Sequence, residues 1–126
     1  MSLHSLALNA YARPEGAARS PRSIEYDLFA RTTQRLSASW TARDRSFPAF
    51  AEALNDNLRL WRALAVDVAQ PGNGLPEDLR ARLYHLYKFV AQHSRKLLKR
   101  EEATVEVLVD INTAVMRGLR GEGGAP

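Results

Sequence analysis

Three histidines, His4, His85 and His93, are the side chains best suited to metal or proton chemistry, and their placement argues against both. His85 and His93 stand eight residues apart with no acidic residue on the same face between them, whereas a metal site needs several donors converging on one point. His93 falls on an apolar stripe, where a half-buried packing role is expected, and His85 falls at the stripe's edge. The carboxylates offer no acid–base pair: Glu77 with Asp78, and Glu101 with Glu102, are adjacent residues whose side chains diverge on a helix. The glycine-bearing stretches QPGNG (70–74) and RGLRGEGG (117–124) follow no strand and lack the lysine and hydroxyl of a phosphate loop. Cysteine is absent, which removes disulfides, thiol catalysis and thiolate ligands. The chain therefore reads as a non-enzyme with no cofactor and no metal.

A different pattern concerns polar residues set inside apolar stripes. Asn57 lies between Leu54 and Leu58, Asp67 between Val66 and Val68, and Asp110 and Asn112 alternate with Val109 and Ile111. Burying such groups unpaired costs about 1–3 kcal/mol each, so partners are expected. They are read as ties to helix ends or to loop amides, such as those of Asn73 to Leu75, that fix the register of a bundle. Direct contact with a partner is the alternative.

The elements that position these residues follow from apolar spacing and from breakers. Leu3, Leu6, Ala7 and Tyr11 suit a helix of about two turns, marginal unless docked. Residues 13–22 hold two prolines and a glycine and read as a linker, with Ser20 or Ser23 as the cap of the next helix. That helix runs from Ile24 to about Trp40, with Leu28, Phe29, Leu36 and Trp40 near one face and Arg31 and Arg35 off it. Leu54, Leu58, Trp61, Leu64 or Ala65, and Val68 define a longer one beginning near Ser46 or Pro48 and ending about Ala69. QPGNGLP (70–76) stops it. Pro76, Glu77 and Asp78 then open a helix whose core stripe is Leu79, Leu83, Leu86, Val90, His93 and Leu97. No Gly or Pro separates Lys99 from Ala103, yet the stripe Val105, Leu108, Asn112 with Ile111, Val115 and Leu119 has a new phase. A further helix is expected there, with a continuous bent helix as the alternative.

The fold expected is all-α, a small bundle of about four to five helices, with residues 1–22 as N-terminal segment and linker, 23–120 as the bundle and 121–126 as a disordered tail. A chain of 126 residues has room for one such core. No apolar run approaches the ~20 residues that span a bilayer, and residues 1–14 lack the build of a signal peptide, so membrane insertion is not expected and a cytoplasmic location is.

The net charge is +4 with a pI near 9.8, and it is unevenly spread. Residues 77–100 carry seven Lys or Arg against two acids, while residues 101–126 carry two against five. Arg80, Arg82 and Lys88 are interleaved with Tyr84, Tyr87 and Phe89, a composition able to approach phosphates. Tyr84 and Tyr87 equally suit the cover of a core, and no recognition helix with a tight turn is apparent.

Taken in order, NDNLRLW (55–61), VDVAQPGNGLP (66–76), LYHLYKFV (83–90) and LVDINTAVMRGLRG (108–121) resemble the FlaF family of flagellar regulators, from about Tyr11 to Arg120. The resemblance implies a cytoplasmic helical protein that binds flagellin in a chaperone-like way and acts alongside the FlbT regulator, coupling flagellin synthesis to secretion and filament assembly. Partner contacts are then expected from Leu58, Trp61, Leu75, Tyr84, Tyr87, Val115 and Leu119, in grooves beside the later helices, with a core role for Trp61 favoured over an interface one. Asn57, Asp67, Asn73, Asp110 and Asn112 are the structural polar set. The alternatives are an RNA-binding post-transcriptional regulator of flagellin expression and a non-enzymatic adaptor to other flagellar proteins. Which flagellin segment is bound and the oligomeric state are left open.

Overall fold

The computed structural model describes the backbone of residues 21–119 and the side chains of residues 25–118. Among the described residues there are four α-helices and no strand: α1 (Pro21–Thr41), α2 (Phe47–Val68), α3 (Glu77–Leu98) and α4 (Glu106–Leu119). This is the small all-α bundle expected from the spacing. The short helix expected near Leu3 to Tyr11 and the tail beyond residue 120 lie outside the described residues.

The helix limits have local causes. Pro21 and Arg22 already belong to α1, so the linker stops short of them and Ser23 is inside the helix, not its cap. Ser46 caps α2, its hydroxyl accepting the Ala49 N–H at 3.3 Å, and Pro48 sits in the first turn, where its missing N–H leaves nothing unpaired. Glu77 and Asp78 open α3 and Arg95 and Lys96 close it, each favourable to the helix dipole.

Between α3 and α4 the chain stops without glycine. Arg100 adopts the left-handed conformation (φ 58°), the Glu101 N–H reaches the Lys96 carbonyl at 3.0 Å and the Arg100 N–H reaches that of Leu97 at 3.1 Å. This is a Schellman closure with arginine where glycine is usual. The Arg100 guanidinium lies 4.0 Å over the Phe47 ring, and that contact offsets part of the backbone cost. The continuous bent helix is thereby excluded.

α1 packs on both α2 and α4, and α2 packs on α3, so the helices stand in the order α4, α1, α2, α3. The interior is filled by Phe29 and Leu36 of α1, Phe50, Leu54, Trp61 and Leu64 of α2, Val90 and Leu97 of α3, and Leu108 of α4. Each large side chain fully withdrawn from water contributes about 1.5–3 kcal/mol before entropy is charged. Phe29 meets the Trp61 ring edge-on at 6.1 Å, and Trp40 packs on Phe50 at 5.2 Å.

Two stripes differ from expectation. In α2 the stripe passes from Leu54 through Asn57 and Leu60 to Trp61, all buried, whereas Leu58 is only half-buried. Asn57 takes the central position because its amide is bonded there. In α3 the buried line narrows to Val90, Ser94 and Leu97, and Leu79, Leu83 and Leu86 are half-exposed, since only the C-terminal half of α3 is deeply covered. His93 sits beside that line. Its Nε2 is 2.6 Å from the Thr104 carbonyl, which can only accept, so Nε2 carries the proton and ties α3 to the segment entering α4.

Candidate interaction face and buried polar cluster

Four side chains from three helices meet in the interior. Asn57 and Trp61, one turn apart on α2, face Asn112 of α4 and Thr33 of α1. The Trp61 indole can only donate, and it does so to Asn112 Oδ1 at 2.8 Å, which fixes the orientation of the amide. Asn112 Nδ2 then donates to Asn57 Oδ1 at 2.8 Å and to Thr33 Oγ1 at 3.0 Å, and the Thr33 hydroxyl donates to the Phe29 carbonyl at 2.6 Å. Among the described residues Asn57 Nδ2 has no partner. Asn57 and Asn112 thus belong to the interior, as their places in the stripes implied. Thr33 was not singled out by the sequence, although its position four residues after Phe29 and three before Leu36 puts it on the same face. The cluster contains no nucleophile beside a base; its chemistry is to hold three helices in one alignment.

The other polar residues divide. Asp67 is buried, and the tie to the α2–α3 turn runs through its main-chain carbonyl, which accepts from Asn73 Nδ2 at 3.2 Å. Asn73 Oδ1 in turn accepts the Leu75 N–H at 3.1 Å, and Gly74 between them has φ +90°. Asp110, by contrast, is exposed: it projects on the side of α4 away from Leu108 and Asn112, so it is not one of the buried polar residues.

The residues expected to meet a partner are also spread over different environments. Trp61 is wholly buried, so it is a core residue and not a surface anchor. Leu58 and Val115 are half-buried against the core, as is Tyr87. Leu75 and Tyr84 are exposed. Leu119 ends α4, with its side chain outside the described residues. Val66, which the sequence did not single out, and Phe89, which it offered only beside cations that could approach phosphates, are 54% and 41% exposed and join Leu75 (41%) and Tyr84 (42%) as the large apolar side chains left open to water. Three of these four lie on α3 or at its entrance, next to the half-exposed Leu79, Leu83 and Leu86.

Charge surrounds this surface. Arg82, Lys88, Arg95 and Lys96 on α3, and Lys99 just past its end, are exposed, and none of them is ion-paired among the described residues. Arg80 differs: it is half-buried, with Nη1 donating to the Gln70 carbonyl at 3.0 Å, so its side chain is held against the α2–α3 turn. At the other end of the bundle a cleft of about 820 Å³ lies between the α1–α2 and α3–α4 turns. Arg43, Asp44 and Arg45 line it from one turn and Arg100, Glu101 and Glu102 from the other, so both signs of charge are present. Arg43 is stacked 3.6 Å over the Trp40 ring.

Fold and surface together define a small helical protein with a polar-tied interior and one helix that presents apolar and cationic residues outward. The sequence matches the model of the flagellar protein FlaF family over residues 7–119, and the chain belongs to that family. Its role is accordingly a flagellar one. Neither the curated proteins nor the solved structures compared with the chain gave a match. Among the described residues no helix is long and apolar enough to cross a membrane.

Proposed function

We propose that the protein binds flagellin in the cytoplasm in a chaperone-like way and couples flagellin synthesis to secretion and filament assembly, with an FlbT-type regulator as a further partner. Family membership supports the flagellar setting. The observation that carries the binding reading is the exposure of Leu75, Tyr84 and Phe89 at the entrance to α3 and along it, beside the half-covered Leu79, Leu83 and Leu86. Such a surface suits an amphipathic helix laid along it, a common mode of peptide recognition. Flagellin co-expressed with the chain is expected to co-purify as a defined complex, and Tyr84→Glu with Phe89→Glu is expected to abolish it while the melting temperature holds. Calorimetry that detects no heat with any flagellin of the same organism would rule the reading out.

A further inference from the structure

Deepening the flagellin reading, on which it rests, we propose that the segment seated on α3 is an amphipathic helix flanked by acidic residues, held by apolar contact and by the unpaired cations of α3. The placement of those cations carries the argument. Arg82, Phe89 and Lys96 recur at seven-residue steps and so share one side of the helix, while Lys88 lies one turn beyond Tyr84 on the outer face. Each exposed aromatic therefore has a cation on its own side, and among the described residues no carboxylate forms an ion pair with Arg82, Lys88 or Lys96. Tyr84 and Phe89 stand on either side of the half-exposed Leu79, Leu83 and Leu86, so a ligand helix laid along those leucines meets a cation-bearing flank on each side. Acidic flanks complement them; basic flanks are repelled.

Other occupants fit less well. A second copy joined through the same face in a two-fold arrangement sets the cations of α3 against themselves. The N-terminal residues 1–12 hold apolar residues but no acid, so they leave the cations uncompensated. For nucleic acid the rings are poorly presented as stacking platforms: Tyr84 meets Tyr87 edge-on at 6.0 Å, and one face of Phe89 is already stacked on His93 at 5.5 Å and 18°. Arg80, the cation best placed by sequence to join a phosphate track, is engaged by the Gln70 carbonyl.

The test uses the full chain and purified flagellin of the same organism in calorimetry at about 50 and about 300 mM salt, conditions that bracket strong and weak screening. Binding is expected to weaken at the higher salt, and Arg82→Glu with Lys88→Glu is expected to lower affinity about tenfold or more, with the melting temperature unchanged because both side chains are exposed. Arg82→Lys with Lys88→Arg should bind as the parent does. Flagellin bound equally well by the reversed variant and at both salts overturns the acidic-flank inference while leaving the flagellin reading intact. No flagellin bound by the parent chain at either salt removes the flagellin reading and this inference with it. If the reversed variant loses binding to poly(U) while its flagellin affinity is unchanged, the cations serve nucleic acid and the inference is wrong.

Discussion

Asn112 accepts the indole N–H of Trp61 at 2.8 Å across 51 positions of the chain, and the same amide donates to Asn57 and Thr33. One side chain therefore serves three others. Asn112→Ala strands the Trp61 donor in the interior and opens a small void, and both effects act in the same direction. The expected loss is about 3–5 kcal/mol, read as a lower urea midpoint at unchanged slope. Asn112→Asp keeps the acceptor for Trp61 but removes the donor to Asn57 and Thr33, and it is expected to fail in the same assay.

Trp61→Phe keeps a ring against Phe29 but removes the donor to Asn112 Oδ1. A loss of about 2–4 kcal/mol is expected, from an unpaired carbonyl plus a smaller ring. In a double-mutant cycle with Asn112→Ala the two losses should sum to more than the double mutant shows, since the shared bond is removed only once. Strict additivity would mean that the bond contributes nothing.

Arg100 separates backbone from side-chain effects. Arg100→Ala keeps the left-handed backbone and loses the Phe47 contact, whereas Arg100→Gly relieves the backbone by about 1 kcal/mol and loses the same contact, itself about 0.5–1 kcal/mol. The expected order of melting temperature puts Arg100→Ala lowest, with Arg100→Gly close to the parent. An alanine variant as stable as the parent would show that the ring contact has no weight.

Asn73→Ala cuts both side-chain bonds that Asn73 makes in the α2–α3 turn and should cost about 1–2 kcal/mol. Gly74→Ala tests the same turn differently, because a methyl there meets nothing within 4 Å and the whole penalty, about 1 kcal/mol, comes from φ +90°. Flagellin affinity is expected to fall in either variant only when folding fails. Lost binding at unchanged stability would make the turn itself a contact.

The helices were legible because Leu, Phe and Val at three- and four-residue steps, with Ser46, Pro48, Gly72 and Pro76 at the breaks, leave few alternatives. The buried amides were legible as misfits in those stripes, but not their partners: nothing local to Asn112 says that it meets Trp61 and Thr33, because those contacts are set by tertiary packing. Arg100 was illegible for a related reason. Its left-handed φ is tolerated because Phe47, far back in the chain, lies under its guanidinium. The stripe of α3 was read too far toward its N-terminus, since Leu79, Leu83 and Leu86 are only half-covered, and it passed over Ser94, which is buried beside the half-buried His93. The interaction face was only partly readable, since exposure of Phe89 depends on how much of α3 its neighbour covers.

Because α3 stands at the outer edge of the row and leans chiefly on α2, its first turns can open while α1, α2 and α4 remain clasped through Asn112. Amide protons of that half of α3 should therefore exchange with solvent well ahead of those around Trp61, by a local excursion and not by global unfolding. A binding helix arriving there meets an element whose loosening costs little, and its arrival would be recorded as a slowing of exchange confined to α3.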